Sequence, residues 1–251
     1  MDLSVVIPMR NEAGNAAPLL AEIRAALDGG GIAYEVVCVD DGSTDATASE
    51  LAGSAHAAAA GRFAGLRLVR HAGSFGQSAA IRSGVQAARG RWIATLDGDG
   101  QNDPADIPKL WAMALALPPE GPVRMLAGMR VKRRDTWSKR WASRAANAIR
   151  SALLGDDTRD TGCGLKLFRR DLFLDLPYFA HMHRFLPALV KRQGFAVVSV
   201  PVNHRPRLHG RSNYGNLGRA LVGIVDILGV MWLQRRARVP KLLDDRAKET
   251  G

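Results

Sequence analysis

The chain has 251 residues, 47% of them hydrophobic, which is enough for one large α/β domain with a substantial core and excludes a disordered or fibrous protein. With 35 Lys and Arg against 24 Asp and Glu, the net charge of +11 points to an anionic partner: nucleic acid, a phospholipid surface or a phosphorylated ligand. Two cysteines, Cys38 and Cys163, make no disulfide framework and fit a reducing, cytoplasmic setting; no signal peptide is visible, and no apolar run reaches the roughly 20 residues that span a bilayer.

Leu3–Pro8 reads as a strand, Asn15–Leu27 as a helix and Tyr34–Val39 as a second strand. The runs Val5-Val6-Ile7 and Val36-Val37-Cys38-Val39 are continuously apolar, as in strands covered on both faces, so Cys38 is expected to be a buried thiol. Thr44–Ala60 reads as a helix, Leu66–Arg70 as a strand, Gly76–Ala88 as a helix and Arg91–Leu96 as a strand. Pro104–Leu115 is a helix with proline near its first turn. Strands alternating with helices predict βαβ units and a mostly parallel sheet. After Pro118 the pattern loosens. Val123–Gly128 is a strand, and the basic stretch that follows has helical apolar spacing at Trp137, Trp141, Ala145 and Ile149. Phe195–Val202 is a strand, with a loop "NHRPRLHGRSNYG" after it. Ala220–Leu233 is apolar nearly all round apart from Asp226, and Arg235, Arg236, Arg238 and Lys241 follow. Such a run suits an interfacial helix, with Trp232 at a headgroup boundary, a helix buried in an oligomer, or an ordinary core helix. The expected organisation is a domain over 1–215 and a helix with a basic tail over 216–251.

Ligands of open parallel sheets bind beyond the carboxyl ends of the strands. Three polar clusters fall there: Pro8-Met9-Arg10-Asn11-Glu12, Asp40-Asp41-Gly42-Ser43-Thr44-Asp45 and Asp97-Gly98-Asp99-Gly100-Gln101. Asp40 and Asp45 have a second reading as caps of the next helix, and Asp103, before Pro104, reads as an N-cap. A G-x-G-x-x-G after the first strand, a P-loop and zinc-ligand spacings of Cys and His are absent from the sequence. "DGDGQND" lacks the glycine and glutamate that an EF-hand needs further on. Asp97 and Asp99 crowd like charges, which a hard divalent cation shared with a ligand's phosphates would relieve. Gly98 between them is expected to let a ligand approach the backbone.

"VVIPMRNE", "VDDGSTD" and "LDGDGQNDP" resemble the signatures of the inverting family 2 glycosyltransferases. Within that family the chain is similar to dolichol-phosphate mannose synthases and bacterial polyprenyl-phosphate glycosyltransferases, through "AGMR", "DTGCGLKLFRRDL" and "RLHGRSNYG" as well. The resemblance implies a GT-A (Rossmann-like) fold of the α/β class: a mostly parallel central sheet with flanking helices, here with a C-terminal interfacial helix. It implies a nucleotide pocket at Pro8, Arg10, Glu12, Val39, Asp41, Asp97, Gly98 and Asp99. Asp97, Asp99 and Gln101 would meet Mg²⁺ or Mn²⁺ and the diphosphate. Arg130 and Arg207 would contact phosphates, Lys139, Arg140 and Ser143 would take the acceptor phosphate, and Asp160 lies in the acceptor region. His181, His183, His204 and His209 read as surface or packing residues, with His183 ordering a loop over the acceptor. Asn213 replaces a lysine found in many mannose synthases, which favours a uridine over a guanosine donor. The implied reaction is inverting transfer of a sugar from a nucleotide sugar to a polyprenyl phosphate, by an enzyme peripheral on the inner face of the cytoplasmic membrane, as an oligomer or with an integral partner. Alternatives are a soluble glycan or protein acceptor on the same fold, and a nucleic-acid-binding protein. Acidic clusters where a ligand should sit argue against the last.

Overall fold

The computed structural model describes residues 1–55, 63–131, 150–158, 160–207 and 216–238, apart from the side chains of 55 and 216–221. The first half follows the predicted alternation. β1 (Leu3–Met9), β2 (Tyr34–Asp40), β3 (Phe63–Arg70) and β4 (Trp92–Thr95) are separated by α1 (Ala16–Leu27), α2 (Thr47–Ala55) and α3 (Gln77–Ala87). A 3-10 turn at Pro104–Asp106 leads into α4 (Ile107–Leu115), and β5 (Val123–Arg130) follows. Helical residues 150–154 precede β6 (Lys166–Arg169), α5 (Arg170–Leu174), a 3-10 turn at Met182–Arg184, α6 (Leu186–Arg192), β7 (Ala196–Val202) and α7 (Asn216–Arg235).

The strands form one seven-stranded sheet in the order β3-β2-β1-β4-β6-β5-β7. β6 alone runs against the rest: it is antiparallel to both β4 and β5, whereas β5 and β7 pair in parallel. Its N-terminal end therefore lies where its neighbours end, with Lys166 opposite Thr95 of β4 and Ala127 of β5. That reversal brings the segment 160–165 to the rim reached by the exits of β1, β2 and β4.

Each side of the sheet carries its own core. Leu19, Ile23 and Leu27 of α1, Leu51 of α2, and Leu110 and Trp111 of α4 pack on one face. Ile81 and Val85 of α3, Leu172 and Phe173 of α5, and Leu186, Leu189 and Val190 of α6 pack on the other. Val36, Val37, Cys38 and Val39 are fully buried, which is why β2 needs an unbroken apolar run. Burial lifts the Cys38 thiol pKa to about 12, so it stays protonated as a packing residue.

α7 presents apolar side chains on two sides. Val230 is fully buried, and Ile227, Met231 and Leu233 pack on the core beside α6. Ile224, Val225, Leu228 and Trp232, at spacings of three and four, are 57%, 69%, 59% and 59% exposed. Asp226, the one acid in this run, accepts a hydrogen bond from His181 Nδ1 at 3.1 Å. The predicted helical spacing at 137–149 and residues 56–60 of the predicted second helix lie outside the described residues.

Candidate active site

The exits of β1 and β2 are laced together. Asn11, in a left-handed conformation (φ 53°), donates its N–H to Ser43 Oγ and accepts from Thr44 N at 2.8 Å. Glu12 N donates to Thr47 Oγ1 at 2.8 Å. Asp45 accepts from Thr47 N and Ala13 N, so it caps α2 and ties the two loops. Asp103 accepts from Ala105 N, as an N-cap should.

These loops sort the expected nucleotide residues. Arg10 is exposed, and Pro8 and Glu12 are half-buried at the rim. Burial lifts the Glu12 carboxyl pKa, the charges of Asp99 and Asp45 add to that, and Asn15 and Arg207 oppose it. Glu12 thus senses the Asp99–Arg207 pair. Val39 packs its side chain in the core, so only its backbone reaches the rim. Asp41 is committed within the protein. It accepts from His71 Nδ1 (2.7 Å), Ser74 Oγ (3.0 Å), Phe75 N (2.9 Å) and Gly76 N (2.8 Å). Burial would raise its pKa, but these four donors outweigh that and hold it below the usual carboxylate range. Asp41 is the knot that holds the 71–76 loop. The room at Gly98 is also taken by the protein: a Cβ there would meet Met9 Cγ at 2.9 Å and the Pro8 carbonyl at 3.0 Å. Gly98 thus also lets the turn pack closely against the end of β1.

The turn after β4 carries the two carboxylates. Asp97 accepts from Gln77 Nε2 at 2.8 Å, and its N–H donates to Asn102 Oδ1. Burial first, then the like charge of Asp99, push its pKa up to about 6, against the pull of Lys166, Arg130 and Gln77. Asp99 is 7% exposed; it accepts from Gln101 N at 3.1 Å and from Arg207 Nη2 at 2.6 Å. Arg205 clamps the turn from outside, donating to the carbonyls of Gly100 and Asn102 and to Glu22. Among the described residues, no three His, Cys, Asp or Glu groups gather as a closed metal cage. Two crowded carboxylates with one raised pKa fit Mg²⁺ or Mn²⁺, which complete their shells with water and phosphate oxygens.

On the β5–β6 side, Arg130 donates to both oxygens of Asp160, each at 2.7 Å, and its own N–H adds a third bond at 3.1 Å. The pair is nearly buried, with side-chain exposures of 16% and 8%. Arg130 and Asp160, expected to serve phosphate and acceptor separately, are one unit. Beside it opens a cavity of about 410 Å³ lined by Gln77, Asp97, Gly162, Lys166, His183 and Arg184, among others. His183 Nδ1 lies 2.7 Å from Ser78 Oγ; burial, then nearby Lys166 and Arg184, hold the ring well below its usual pKa and therefore neutral. His183 ties the Met182–Arg184 turn to Ser78 of α3, and His181 reaches α7.

Lys139, Arg140 and Ser143 lie outside the described residues, as do His209 and Asn213. The sequence reading passed over Gln77, Lys166 and Arg205. A lysine inside the apolar stretch Leu165-Lys166-Leu167-Phe168 was the available signal for one of them, because a strand interior rarely holds a charge without a partner.

A parallel sheet with one reversed strand, two carboxylates at a strand end and cations facing them define an enzyme of the GT-A glycosyltransferase class. The sequence matches the family described as "Glycosyl transferase family 2" over residues 4–176, and the chain belongs to that family. A dodecaprenyl-phosphate galacturonate synthase from Rhizobium johnstonii is 36% identical over 241 residues, covering 94% of this chain and 68% of the relative. An undecaprenyl-phosphate 4-deoxy-4-formamido-L-arabinose transferase from Aeromonas hydrophila is 34% identical over 213 residues, covering 85% of this chain and 63% of the relative. This chain thus spans about two thirds of the length of these relatives. Among solved structures, glucosyl-3-phosphoglycerate synthase from Mycobacterium tuberculosis with Mn²⁺, UDP and glucosyl-3-phosphoglycerate superposes with a TM-score of 0.68 at 18% identity, over 96% of this chain and 81% of that one. At that identity the likeness is one of fold.

Proposed function

We propose that this glycosyltransferase moves a sugar from a nucleotide sugar, with uridine diphosphate as the leaving group, to a polyprenyl phosphate at the inner face of the cytoplasmic membrane. The observation that carries the reading is the Asp99–Arg207 contact beside Asp97, where a diphosphate and a cation can share one corner. The named activities of the relatives support the acceptor class, and the UDP held by the structural neighbour supports the donor.

The chain's residues divide the work by charge. A lipid phosphate is already an anion and needs little or no general base. The Asp160 carboxylate is committed to Arg130, which suits a positioning role better than proton abstraction. The barrier lies in bringing two phosphates together, and cations aimed at both lower it. Arg207 faces the donor side, and a phosphate that enters can take its guanidinium from Asp99. Arg130, held by both oxygens of Asp160, is the cation assigned to the acceptor phosphate, with Lys139, Arg140 and Ser143 assigned to the same phosphate on the family resemblance. Asp97, Asp99 and Gln101 would hold Mg²⁺ or Mn²⁺, which supplies charge neutralisation for the departing diphosphate. Residues 1–215 form the catalytic unit, and 216–251 the docking segment. The exposed apolar row of α7, followed by Arg235, Arg236 and Arg238, suits an anionic bilayer surface. No helix among the described residues is long and apolar enough to cross a membrane.

The test is direct. The protein is incubated with Mn²⁺, undecaprenyl phosphate and a panel of radiolabelled nucleotide sugars, and label is sought in the organic phase. Label in a water-soluble glycan instead would move the acceptor to the soluble class.

A further inference from the structure

Lys166 is the feature of the cavity that the reaction scheme leaves unused. It sits in the strand next to β4 and is 4% exposed, yet it lines the 410 Å³ space beside Asp97. An ammonium has three N–H donors. Among the described residues one is spent, on the Cys163 carbonyl. Its anionic neighbours are engaged elsewhere: Asp160 by Arg130, and Asp97 by Gln77. Of the other groups facing the space, the His183 ring is bound to Ser78, and Arg184 adds a second positive charge to the wall. Once Asp97 gives its charge to a cation and diphosphate, the charged side chains left lining this end of the cavity are Lys166 and Arg184, both positive. A buried cation in that state is costly unless a ligand brings an anion to it. The volume suits a sugar ring with a further group beside it.

We propose that Lys166 is the anion-recognising residue of the reaction chamber, binding a ligand oxyanion that enters this cavity. The oxyanion is either a carboxylate carried by the transferred sugar or the attacking phosphate of the acceptor. The assignment rests on the glycosyl-transfer reading above, and the experiment separates the two sources.

Lys166→Met removes the charge and keeps the length, and Lys166→Arg restores the charge. Calorimetry with Mn²⁺ compares UDP-glucuronate and UDP-galacturonate with UDP-glucose and UDP-galactose, and steady-state assays give KM for undecaprenyl phosphate. If the sugar carries the group, K166M weakens the uronate donors by about tenfold or more, spares the neutral ones, and K166R recovers the difference. If the acceptor carries it, K166M leaves every donor affinity alone and raises KM for undecaprenyl phosphate by a similar factor, again rescued by K166R. A folded K166M with donor affinities and acceptor KM like those of wild type overturns the proposal. So does a uniform loss that K166R fails to rescue, since a purely structural lysine would behave that way. Should K166M not fold, the wild-type protein decides: failure of both free glucuronate and inorganic phosphate to raise its melting temperature at millimolar concentration overturns the assignment. Absence of lipid-linked product with wild type would refute the acceptor class while leaving the donor-binding arm readable.

Discussion

Gly164 offers the sharpest test of the site's geometry. A Cβ placed there would lie 2.3 Å from Asp97 Oδ2 and 2.5 Å from Asn102 Oδ1. Ordinary contact begins near 3.4 Å, so in Gly164→Ala the Asp97 carboxylate must retreat by about 1 Å. It cannot do so freely, because Gln77 holds its side chain and Asn102 holds its N–H. Overpacking of this kind costs about 1–3 kcal/mol, or ~2–10 °C in melting temperature for a chain of this size. A displacement of about 1 Å at a reacting centre costs on the order of 100-fold in rate. The expected variant is therefore folded, slightly less stable and nearly inactive, with weakened Mn²⁺-dependent nucleotide binding. Gly73→Ala is the control, since nothing lies within 4 Å of its Cβ position. Calorimetry with UDP and Mn²⁺, turnover and thermal melts read the comparison. If G164A binds nucleotide and turns over like wild type, Asp97 is not a ligand for donor or cation.

Arg207→Ala leaves Asp99 without its guanidinium, and turnover is expected to fall about 100-fold while the melting temperature hardly moves; an unchanged rate in single-turnover assays removes Arg207 from the site. Asp99→Ala, or EDTA treatment of wild type, is expected to abolish transfer; full activity in EDTA would contradict cation use. Stability is expected to fall in acid. For Glu35, burial would raise the carboxyl pKa, but Ser4 and Arg89 outweigh it, and Asp41 is likewise held low by its four donors. Both carboxylates stabilise the fold above their unfolded pKa values of about 4, and that contribution disappears as pH falls through the lower folded values. Urea midpoints should therefore drop from about pH 5 to about pH 3, and the drop should be smaller in Glu35→Gln. Docking through α7 predicts salt-sensitive co-sedimentation with anionic vesicles, weakened by Ile224→Asp with Leu228→Asp; equal binding to neutral vesicles would refute the arginines' part.

The first half of the fold was legible because its strands are buried on both faces and its helices are long and periodic. Leu3–Pro8 and Tyr34–Val39 match β1 and β2 within one residue. β6 was not legible. It has four residues, includes a buried lysine and begins beside a glycine pair, so neither period nor composition marks it as a strand. α5 and α6, of five and seven residues, are too short for a helical period to show. Of the site, Asp97, Asp99 and Arg207 could be read from the sequence, and the structure brings Asp99 and Arg207 into contact across 108 positions of chain. The internal contacts of Asp41 and Gly98 could not, because they depend on the 71–76 loop and on Met9, which pack there from elsewhere in the chain.

The reversed strand has an architectural consequence. The proposed donor corner is built from chain up to about residue 102 with Arg205 and Arg207 added from the far end, and the opposite wall from chain after 123; within the sheet the two halves meet where β4 pairs with β6. Exchange of residues 123–202 between homologues is therefore expected to transplant preference for one recipient molecule onto another while the nucleotide requirement stays with the first hundred residues.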